Sequence, residues 1–229
     1  TGSSFGVRGG RLTIDGKLKM GFKDPEGKEV EFTVVEPQSS DPYAKLAGPN
    51  DGGVVGAGTM GNGIVQVCAT AGLKVIMQDI NDTQVERGLT TIAGSLDRLI
   101  KKEKISEQDK QATLANISTT TALADLADTD IVIEAATENE AIKLDIFKQL
   151  DELCQPQTIL ASNTSSISLT RIAGATQRAD QVIGMHFMNP VPIMALVEVI
   201  RALQTSDTTY QAVHELSEFI GKIPIEAKD

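Results

Sequence analysis

The sequence predicts an α/β fold in which short strands alternate with helices and form a mainly parallel, doubly wound sheet. Three observations lead to this prediction. From Val54 onward, brief apolar runs such as VVGAG, KVIMQD and DIVIEAA alternate with segments of helical periodicity. A glycine-rich stretch joins the first of these runs to the first helical segment. The 229 residues are 41% hydrophobic and only 3% aromatic, which suits a medium-sized domain with an aliphatic core.

The first fifty residues follow a different pattern. RLTIDGKLKMGF and KEVEFTVVEP alternate apolar and polar residues around the turn signals DG and DPEGK, which predicts two or three short antiparallel strands. PQSSDPYAKLAGPNDGG is rich in Pro, Gly, Ser and Asp and is typical of a linker. We therefore expect a β-like extension and linker of unknown role at residues 1–52, followed by an α/β domain at residues 53–229.

Periodicity and helix-ending signals assign the elements of the α/β domain in order. TMGNGIVQVCATAG predicts a helix that ends at Gly72, and the next helical stretch breaks near Ile105, with Ser106 as an N-cap. EAIKLDIFKQLDELC predicts an amphipathic helix between the strands DIVIEAA and TILASNTS. QVIGMHFMNP and ALVEVIRA follow as extended segments. DTTYQAVHELSEFIGK then predicts a helix that Gly221 stops before a last strand, IPIEA.

Composition argues against several classes of protein. The formal net charge of −10 is a poor match for nucleic-acid binding, which needs a basic face. No apolar run reaches the roughly 18 residues of a membrane span, and the N-terminus lacks the layout of a secretory signal. Cys68 and Cys154 have no CxxC or metal-ligand spacing. We therefore expect no metal site, two buried reduced thiols and a cytoplasmic protein.

The stretch GVVGAGTMGNGIVQ contains the pattern GxGxxG where a strand turns into a helix. Gly56 would make the tight turn, Gly58 would let the backbone meet a pyrophosphate, and Gly61 would let the helix and the strand pack closely. The helix N–H groups near Thr59 and Met60 would then face the diphosphate with a favourable dipole. The pattern alone is weak, but its position between a strand and a helix favours a dinucleotide site.

An acidic residue stands where such a fold expects one. Asp79 ends the second strand, 21 residues after Gly58, close to the roughly 20 residues typical of dinucleotide folds. Its carboxylate would accept hydrogen bonds from the adenosine ribose and would repel a 2′-phosphate, so NAD is favoured over NADP. These features together predict a Rossmann-type domain that binds NAD. A plain acid at a strand end remains the alternative interpretation of Asp79.

Two later segments complete a set of motifs. ASNTSSISLTRIA and IGMHFMNPVPIMALVEVIR, together with GVVGAGTMGNGI and IVIEAATEN, closely resemble the L-3-hydroxyacyl-CoA dehydrogenases, in particular the bacterial 3-hydroxybutyryl-CoA dehydrogenases. The resemblance covers residues from about Gly53 to Asp229. It implies NAD-dependent oxidation of a short-chain (S)-3-hydroxyacyl-CoA to a 3-oxoacyl-CoA, or the reverse, in fatty-acid or butanoate metabolism. It also implies a homodimer for the full-length family form.

The resemblance implies roles for residues where the motifs match. Ser165 in SNTSS corresponds to the serine that hydrogen-bonds the substrate's 3-oxygen, and His186 in HFMNP corresponds to the general base. Glu198 in LVEVI corresponds to the acid paired with that histidine. The residues that correspond to cofactor contacts are Glu138, Lys143, Asn163 and Asn189. Those that correspond to coenzyme A contacts are Ser95 and Lys102.

Elementary chemistry agrees with these roles and leaves alternatives open. Removing hydride from a carbinol carbon requires a base for the hydroxyl proton, and histidine has a suitable intrinsic pKa. Glu198 lies in an apolar strand, where an unpaired charge is costly, so a partner such as His186 is expected. A core histidine and turn-capping serines are the structural alternatives for His186 and Ser165. The basic cluster could hold coenzyme A phosphates or form only a solvated helix face; it comprises Arg98, Lys101, Lys102 and Lys104.

The sequence departs from the family pattern at both ends. It stops at Asp229, before the segment that carries a further site asparagine and the helical domain in the family, so we expect weak or no turnover and exposed apolar surface. GPNDGG occupies the start of the first strand, so we expect that strand to begin late and to pair poorly near Gly52 and Gly53. Two other functions remain open: a non-catalytic NAD-binding module, and a related hydroxy-acid or sugar-acid dehydrogenase on the same scaffold.

Overall fold

The structure, a computed structural model, describes residues 11–12, 18–23, 29–34 and 52–229. The chain divides into two compact units, Thr1–Ala44 and Lys45–Asp229. In the first unit, β1 (Arg11–Leu12), β2 (Leu18–Lys23) and β3 (Glu29–Val34) pair antiparallel in the order β1-β2-β3, as predicted. The predicted DG and DPEGK turns and residues 37–51 of the predicted linker lie outside the described residues, whereas its last two residues, Gly52 and Gly53, belong to a strand. The role of this unit and the domain boundary stay predictions.

The second unit is an eight-stranded sheet with accompanying helices. Its strands are β4 (Gly52–Val55), β5 (Val75–Gln78), β6 (Ile117–Thr120), β7 (Ile131–Glu134), β8 (Ile159–Ser162), β9 (Val182–Phe187), β10 (Leu196–Arg201) and β11 (Ile223–Lys228). Its α-helices are α1 (Thr59–Thr70), α2 (Asp82–Lys101), α3 (Glu107–Ala115), α4 (Glu140–Leu153), α5 (Leu169–Ala173) and α6 (Asp207–Phe219).

The strand order creates a crevice beside the first strand of this sheet. The order is β11-β10-β9-β8-β7-β4-β5-β6, and the six strands from β9 to β6 are parallel. β10 runs antiparallel to β9, and β11 runs parallel to β10. β5 and β6 are added on one side of β4, and the strands from β7 onward are added on its other side. The order of strand addition therefore reverses at β4. Ligands of open α/β sheets bind at this kind of switch point, and the predicted doubly wound, mainly parallel sheet is confirmed.

Aliphatic residues fill the core, as the low aromatic content predicts. β5, β7 and β8 are buried at every position, and Phe147 and Leu150 of α4 pack with Leu160 of β8 in one hydrophobic cluster. Cys68 and Cys154 are both free and buried. Burial raises the pKa of the Cys68 thiol to about 12, so this thiol stays protonated at neutral pH.

The expectation of a late first strand is wrong. β4 begins at Gly52, whose N–H donates to the Lys74 carbonyl oxygen at 3.0 Å. Gly53 is buried, and a Cβ there would lie 2.9 Å from the Leu126 side chain. The glycines therefore let β4 approach its neighbours closely, and they do not weaken its pairing.

β6 is a strand that the sequence analysis missed. It follows α3 almost directly and reads ISTT, with two of its four residues exposed at the edge of the sheet. A polar edge strand has no apolar run to reveal it. The predicted helix break before it is confirmed, because Ser106 caps α3 in a reciprocal capping box with Asp109.

Apolar side chains are exposed near the β10–β11 end of the sheet. Ile193 is 78% exposed and Ile223 is 62% exposed, and Met194 and Phe219 are also exposed. This observation agrees with the exposed apolar surface that the sequence analysis expects. Which domain or molecule would cover this surface stays a prediction. Within the described part of the chain, no helix combines the length and the apolar character needed to span a bilayer.

Candidate active site

The glycine loop has the geometry that the GxGxxG pattern predicts. Gly56 has a φ of +100°, and a Cβ there would lie 2.8 Å from the Ala135 carbonyl oxygen. A Cβ at Gly61 would lie 1.7 Å from the Gly56 carbonyl oxygen, so α1 can approach the turn only because this residue is glycine. Beside Gly58, no atom lies within 4 Å of an added Cβ. The loop is therefore tightly packed at Gly56 and Gly61 and open at Gly58, which fits a pyrophosphate bound beside Gly58.

The first turn of α1 lacks a capping side chain. The N-caps of α2 to α6 each accept a hydrogen bond from the backbone of the first turn; they are Asn81, Ser106, Asn139, Ser168 and Ser206. The N-cap of α1 is Gly58, which makes no such bond. The amides near Thr59 and Met60 therefore have no side-chain acceptor, and an anionic diphosphate would satisfy them.

Asp79 connects the tip of β5 to the glycine loop. Its Oδ2 accepts a hydrogen bond from the Ala57 N–H at 2.7 Å, and its Oδ1 accepts one from the Ile80 N–H at 2.7 Å. It lines a cavity of about 350 Å³ with Gly56 and Gly58. Asp79 therefore lies beside the glycine loop, and its bond to Ala57 holds that loop. Hydrogen bonding of Asp79 to a ribose stays a prediction.

His186 and Glu198 form a pair at the carboxyl edge of the sheet. They lie directly opposite each other on the antiparallel strands β9 and β10, and the distance from His186 Nδ1 to Glu198 Oε2 is 2.7 Å. A carboxylate only accepts, so Nδ1 donates its proton to Glu198, and in the neutral imidazole the lone pair is then on the second ring nitrogen, Nε2. The two side chains are 18% and 40% exposed. The imidazole is therefore oriented by an acid and accessible to a substrate.

The loop after β8 carries Ser165 and is held from both sides. Asn163 Oδ1 accepts a hydrogen bond from the Phe187 N–H at 2.8 Å, which ties the loop to β9 next to His186. Glu138 accepts hydrogen bonds from the Thr164 hydroxyl at 2.8 Å and from the Ser165 N–H at 3.2 Å. Ser165 itself is exposed. Asn163 and Glu138 thus position this loop, and their contacts with a cofactor stay predictions.

A buried ion pair lies beneath the crevice. Lys143 Nζ is 2.5 Å from Glu134 Oε2, and both side chains are almost fully buried. Ser162 Oγ donates to the same carboxylate at 3.0 Å, and the Ala136 N–H donates to Oε1 at 2.8 Å. The Lys143 ammonium therefore joins α4 to the ends of β7 and β8. Its direct contact with a cofactor stays a prediction.

Glu134 is a site residue that the sequence analysis missed. It is the acid within the apolar run IVIEAA, and a lone charge in a buried strand signals a buried partner. The same signal in ALVEVI led to the pairing of Glu198 with His186. Applied to IVIEAA, it would have predicted a basic partner for Glu134.

A second cleft of about 250 Å³ lies between α1, α2 and the segment after β9. Ser95 and Lys102 line it from α2, and Asn189 lines it from the segment after β9. Thr59, at the start of α1, also lines it, so the cleft reaches the glycine loop. The structure thus brings the predicted coenzyme A contacts together with two predicted cofactor contacts. Among the described residues there is no cluster of three or more His, Cys, Asp or Glu that could hold a metal.

The fold, the glycine loop and the uncapped α1 define a dinucleotide-binding domain. Residues 52–229 match the NAD binding domain of 3-hydroxyacyl-CoA dehydrogenase. The chain therefore belongs to the 3-hydroxyacyl-CoA dehydrogenase family, with NAD as the cofactor of the matched domain.

Individual relatives support the same family. A probable 3-hydroxybutyryl-CoA dehydrogenase from Deinococcus radiodurans is 50% identical over 177 residues, which cover 77% of this chain and 63% of the relative. The mitochondrial hydroxyacyl-coenzyme A dehydrogenase of Homo sapiens is 41% identical over 182 residues, with coverages of 77% and 58%. The crystal structure of (S)-3-hydroxybutyryl-CoA dehydrogenase from Ralstonia eutropha matches with a TM-score of 0.77 and 60% identity, over 78% of this chain and 63% of that one. This chain thus spans less than two thirds of the length of these relatives.

Proposed function

We propose that this chain provides the cofactor-binding and proton-transfer part of an NAD-dependent 3-hydroxyacyl-CoA dehydrogenase. The reaction is oxidation of a short-chain (S)-3-hydroxyacyl-CoA to the 3-oxoacyl-CoA, or its reverse. The observation that carries this proposal is the 2.7 Å pair of His186 and Glu198, at the same sheet edge as the glycine loop. The relatives named for 3-hydroxybutyryl-CoA support the short acyl chain.

The residues of this chain account for the proton chemistry. His186 Nε2 takes the proton of the 3-hydroxyl group, and the Glu198 carboxylate stabilises the imidazolium that forms. The Ser165 hydroxyl donates a hydrogen bond to the substrate oxygen as its charge develops. The chemistry that bound NAD supplies is acceptance of the hydride that leaves C3, so the carbinol becomes a ketone and one proton remains on His186.

The same edge of the sheet offers sites for both ligands. The amides at the start of α1, together with Gly56, Gly58, Gly61 and Asp79, would hold the diphosphate and adenosine of NAD. Ser95 and Lys102 would hold coenzyme A in the cleft beside α2, where Arg98 adds positive charge. A homodimeric full-length form, a cytoplasmic location and the absence of nucleic-acid partners belong to this proposal as expectations.

The test is NADH oxidation with acetoacetyl-CoA, measured for the full-length form and for its His186→Ala variant, because weak or no turnover is expected of the present chain. We expect the substitution to lower the rate about 100- to 10,000-fold, the usual contribution of a positioned acid–base group. His214→Ala is the matched control, because His214 lies on α6, outside every site motif, and should leave the rate unchanged. Equal rates for the wild type and His186→Ala would contradict the proposed mechanism. Calorimetric binding of NAD by the full-length form without any turnover would instead favour a non-catalytic NAD-binding module.

A further inference from the structure

Lys222 is a buried lysine with an unusual set of partners. It lies between α6 and β11 and is only 8% exposed. Its Nζ donates to the carbonyl oxygens of Val191 at 2.5 Å and Met194 at 2.8 Å. Within the described part of the chain, the recorded hydrogen-bond acceptors of this ammonium are backbone carbonyls and not carboxylates. A buried positive charge is therefore stabilised by two peptide dipoles of one segment.

That segment is the β9–β10 connection, residues 188–195, which links the strand of His186 to the strand of Glu198. Its residues from Asn189 to Ile193 form one wall of the 250 Å³ cleft that Ser95 and Lys102 line from α2. The connection lies close to α1, because a Cβ at Gly63 would be 2.8 Å from Val191 Cβ. The position of this wall therefore sets the width of the cleft.

Within the connection, Val191 is buried against α1, whereas the residues that follow it are exposed. Pro192, Ile193 and Met194 are all exposed. The N–H groups of Ile193 and Met194 both donate to the Pro190 carbonyl oxygen at 3.0 Å, which closes a local turn. Beyond this turn, Lys222 Nζ supplies two hydrogen bonds, and the Ile223 N–H donates to the Ala195 carbonyl oxygen at 2.8 Å. The connection is thus held by the buried Val191 and by polar bonds from Lys222 and the start of β11.

We propose that Lys222 is a positioning residue for the ligand in this cleft. By holding the carbonyl oxygens of Val191 and Met194, it fixes the β9–β10 connection, and with it Asn189, against α1 and α2. The proposal rests on the proposed function for the nature of the ligand, an acyl-CoA. An uncharged side chain of similar length could fill the same space, but it would leave both carbonyl oxygens unpaired.

Calorimetric binding of two ligands separates positioning from general stability. Acetoacetyl-CoA would occupy the cleft, whereas ADP-ribose lacks the nicotinamide and would bind at the glycine loop and Asp79. In Lys222→Met we expect the Kd of acetoacetyl-CoA to rise about tenfold, the scale of one lost charge-assisted hydrogen bond, and the Kd of ADP-ribose to stay within about twofold. Lys228→Met is the matched control, because Lys228 is exposed at the end of β11, the strand that follows Lys222, and both Kd values should stay unchanged. Equal weakening for both ligands, or no weakening, would overturn the proposal.

Amide hydrogen exchange tests the same proposal without a ligand. In Lys222→Met, the amides of Ile193 and Met194 should exchange about tenfold faster or more, while the amides of Leu160 and Ala161 in β8 keep the wild-type rate. Lys222→Gln keeps an N–H donor and should show an intermediate rate; it also serves if the methionine variant fails to fold. Unchanged exchange at Ile193 and Met194 would contradict the role of Lys222. If the wild type binds no acetoacetyl-CoA, the proposed function fails, and the exchange rates still decide whether Lys222 holds the connection.

Discussion

Two buried lysines hold the two sides of the site, and they do so by different means. Lys143 is paired with the Glu134 carboxylate, so the charges beneath the crevice cancel. Lys222 donates to two backbone carbonyl oxygens, so peptide dipoles stabilise the charge behind the β9–β10 connection. The first arrangement joins secondary-structure elements of the core, and the second holds one exposed segment. We infer that Lys143 supports the core beneath the crevice and that Lys222 supports mainly the connection.

Breaking the ion pair should have the largest effect on stability. Lys143→Met leaves the Glu134 carboxylate buried without its counter-ion, and we expect the free energy of unfolding to fall by about 3–5 kcal/mol. Urea unfolding monitored by circular dichroism would measure the loss. A loss below about 1 kcal/mol would show that water reaches Glu134, and Lys143 would then not support the core beneath the crevice.

A double substitution is the control for this prediction. Glu134→Gln combined with Lys143→Met removes both charges, so its loss should be at least about 1 kcal/mol smaller than the sum of the two single losses. Strict additivity would mean that the two side chains do not stabilise each other, despite the 2.5 Å distance between Lys143 Nζ and Glu134 Oε2.

Lys222→Met should have a smaller effect on global stability. Two carbonyl oxygens lose their donor, but the cost of a buried charge disappears, so we expect a loss of about 1–2 kcal/mol. The same urea titration measures this loss. If Lys222→Met lowered the free energy of unfolding as much as Lys143→Met does, Lys222 would support the core and not only the connection. The two lysines would then not differ in what they hold in place.

The pH dependence of stability should distinguish Lys222 from an exposed lysine. Burial lowers the pKa of Lys222 below its ordinary 10.5, with a smaller opposing effect from Cys68. Between the lowered pKa and 10.5, the unfolded chain binds more protons than the folded chain, so the stability contributed at this position rises with pH. Urea unfolding at pH 7 and pH 10 should show that the free energy of unfolding of the wild type rises relative to that of Lys222→Met.

The neighbouring Cys68 does not interfere with this measurement in the folded state, because its thiol, with its pKa near 12, stays protonated in this window. A constant difference would contradict a buried ammonium.

Breaking an exposed ion pair should change the free energy of unfolding least, so it is the reference for the two buried lysines. Arg171 lies 2.8 Å from Glu140, and its side chain is 68% exposed. Solvent screens such a pair, so Arg171→Met should change the free energy of unfolding by less than about 0.5 kcal/mol. The measurement is again urea unfolding. A change of 2 kcal/mol or more would show that charge pairing in general, and not burial, sets the order of these effects.

The sequence predicted those features that follow from periodicity and from glycine. The strands from β4 to β11 other than β6 were deducible from their short apolar runs. The turn at Gly56 was deducible from the glycine pattern, and the pairing of Glu198 with His186 from a charge in an apolar strand. Lys222 was not deducible, since a lysine between Gly221 and a strand is typical of an exposed turn. Its role depends on a connection thirty residues earlier in the chain. Glu134 could have been found, because it is the only acid in its apolar run.

The bare first turn of α1 has a consequence for any attempt to improve this protein. Gly58 has a φ of −63°, which other residues adopt readily, and space surrounds its Cβ position. Serine or aspartate at this position would accept hydrogen bonds from the N–H groups of the first turn and raise the thermal stability. The side-chain oxygen would, however, occupy the position where the phosphate binds. At this residue, a helix-capping side chain and the cofactor would compete for the same backbone N–H groups. Glycine leaves these N–H groups available to the cofactor, at the cost of thermal stability.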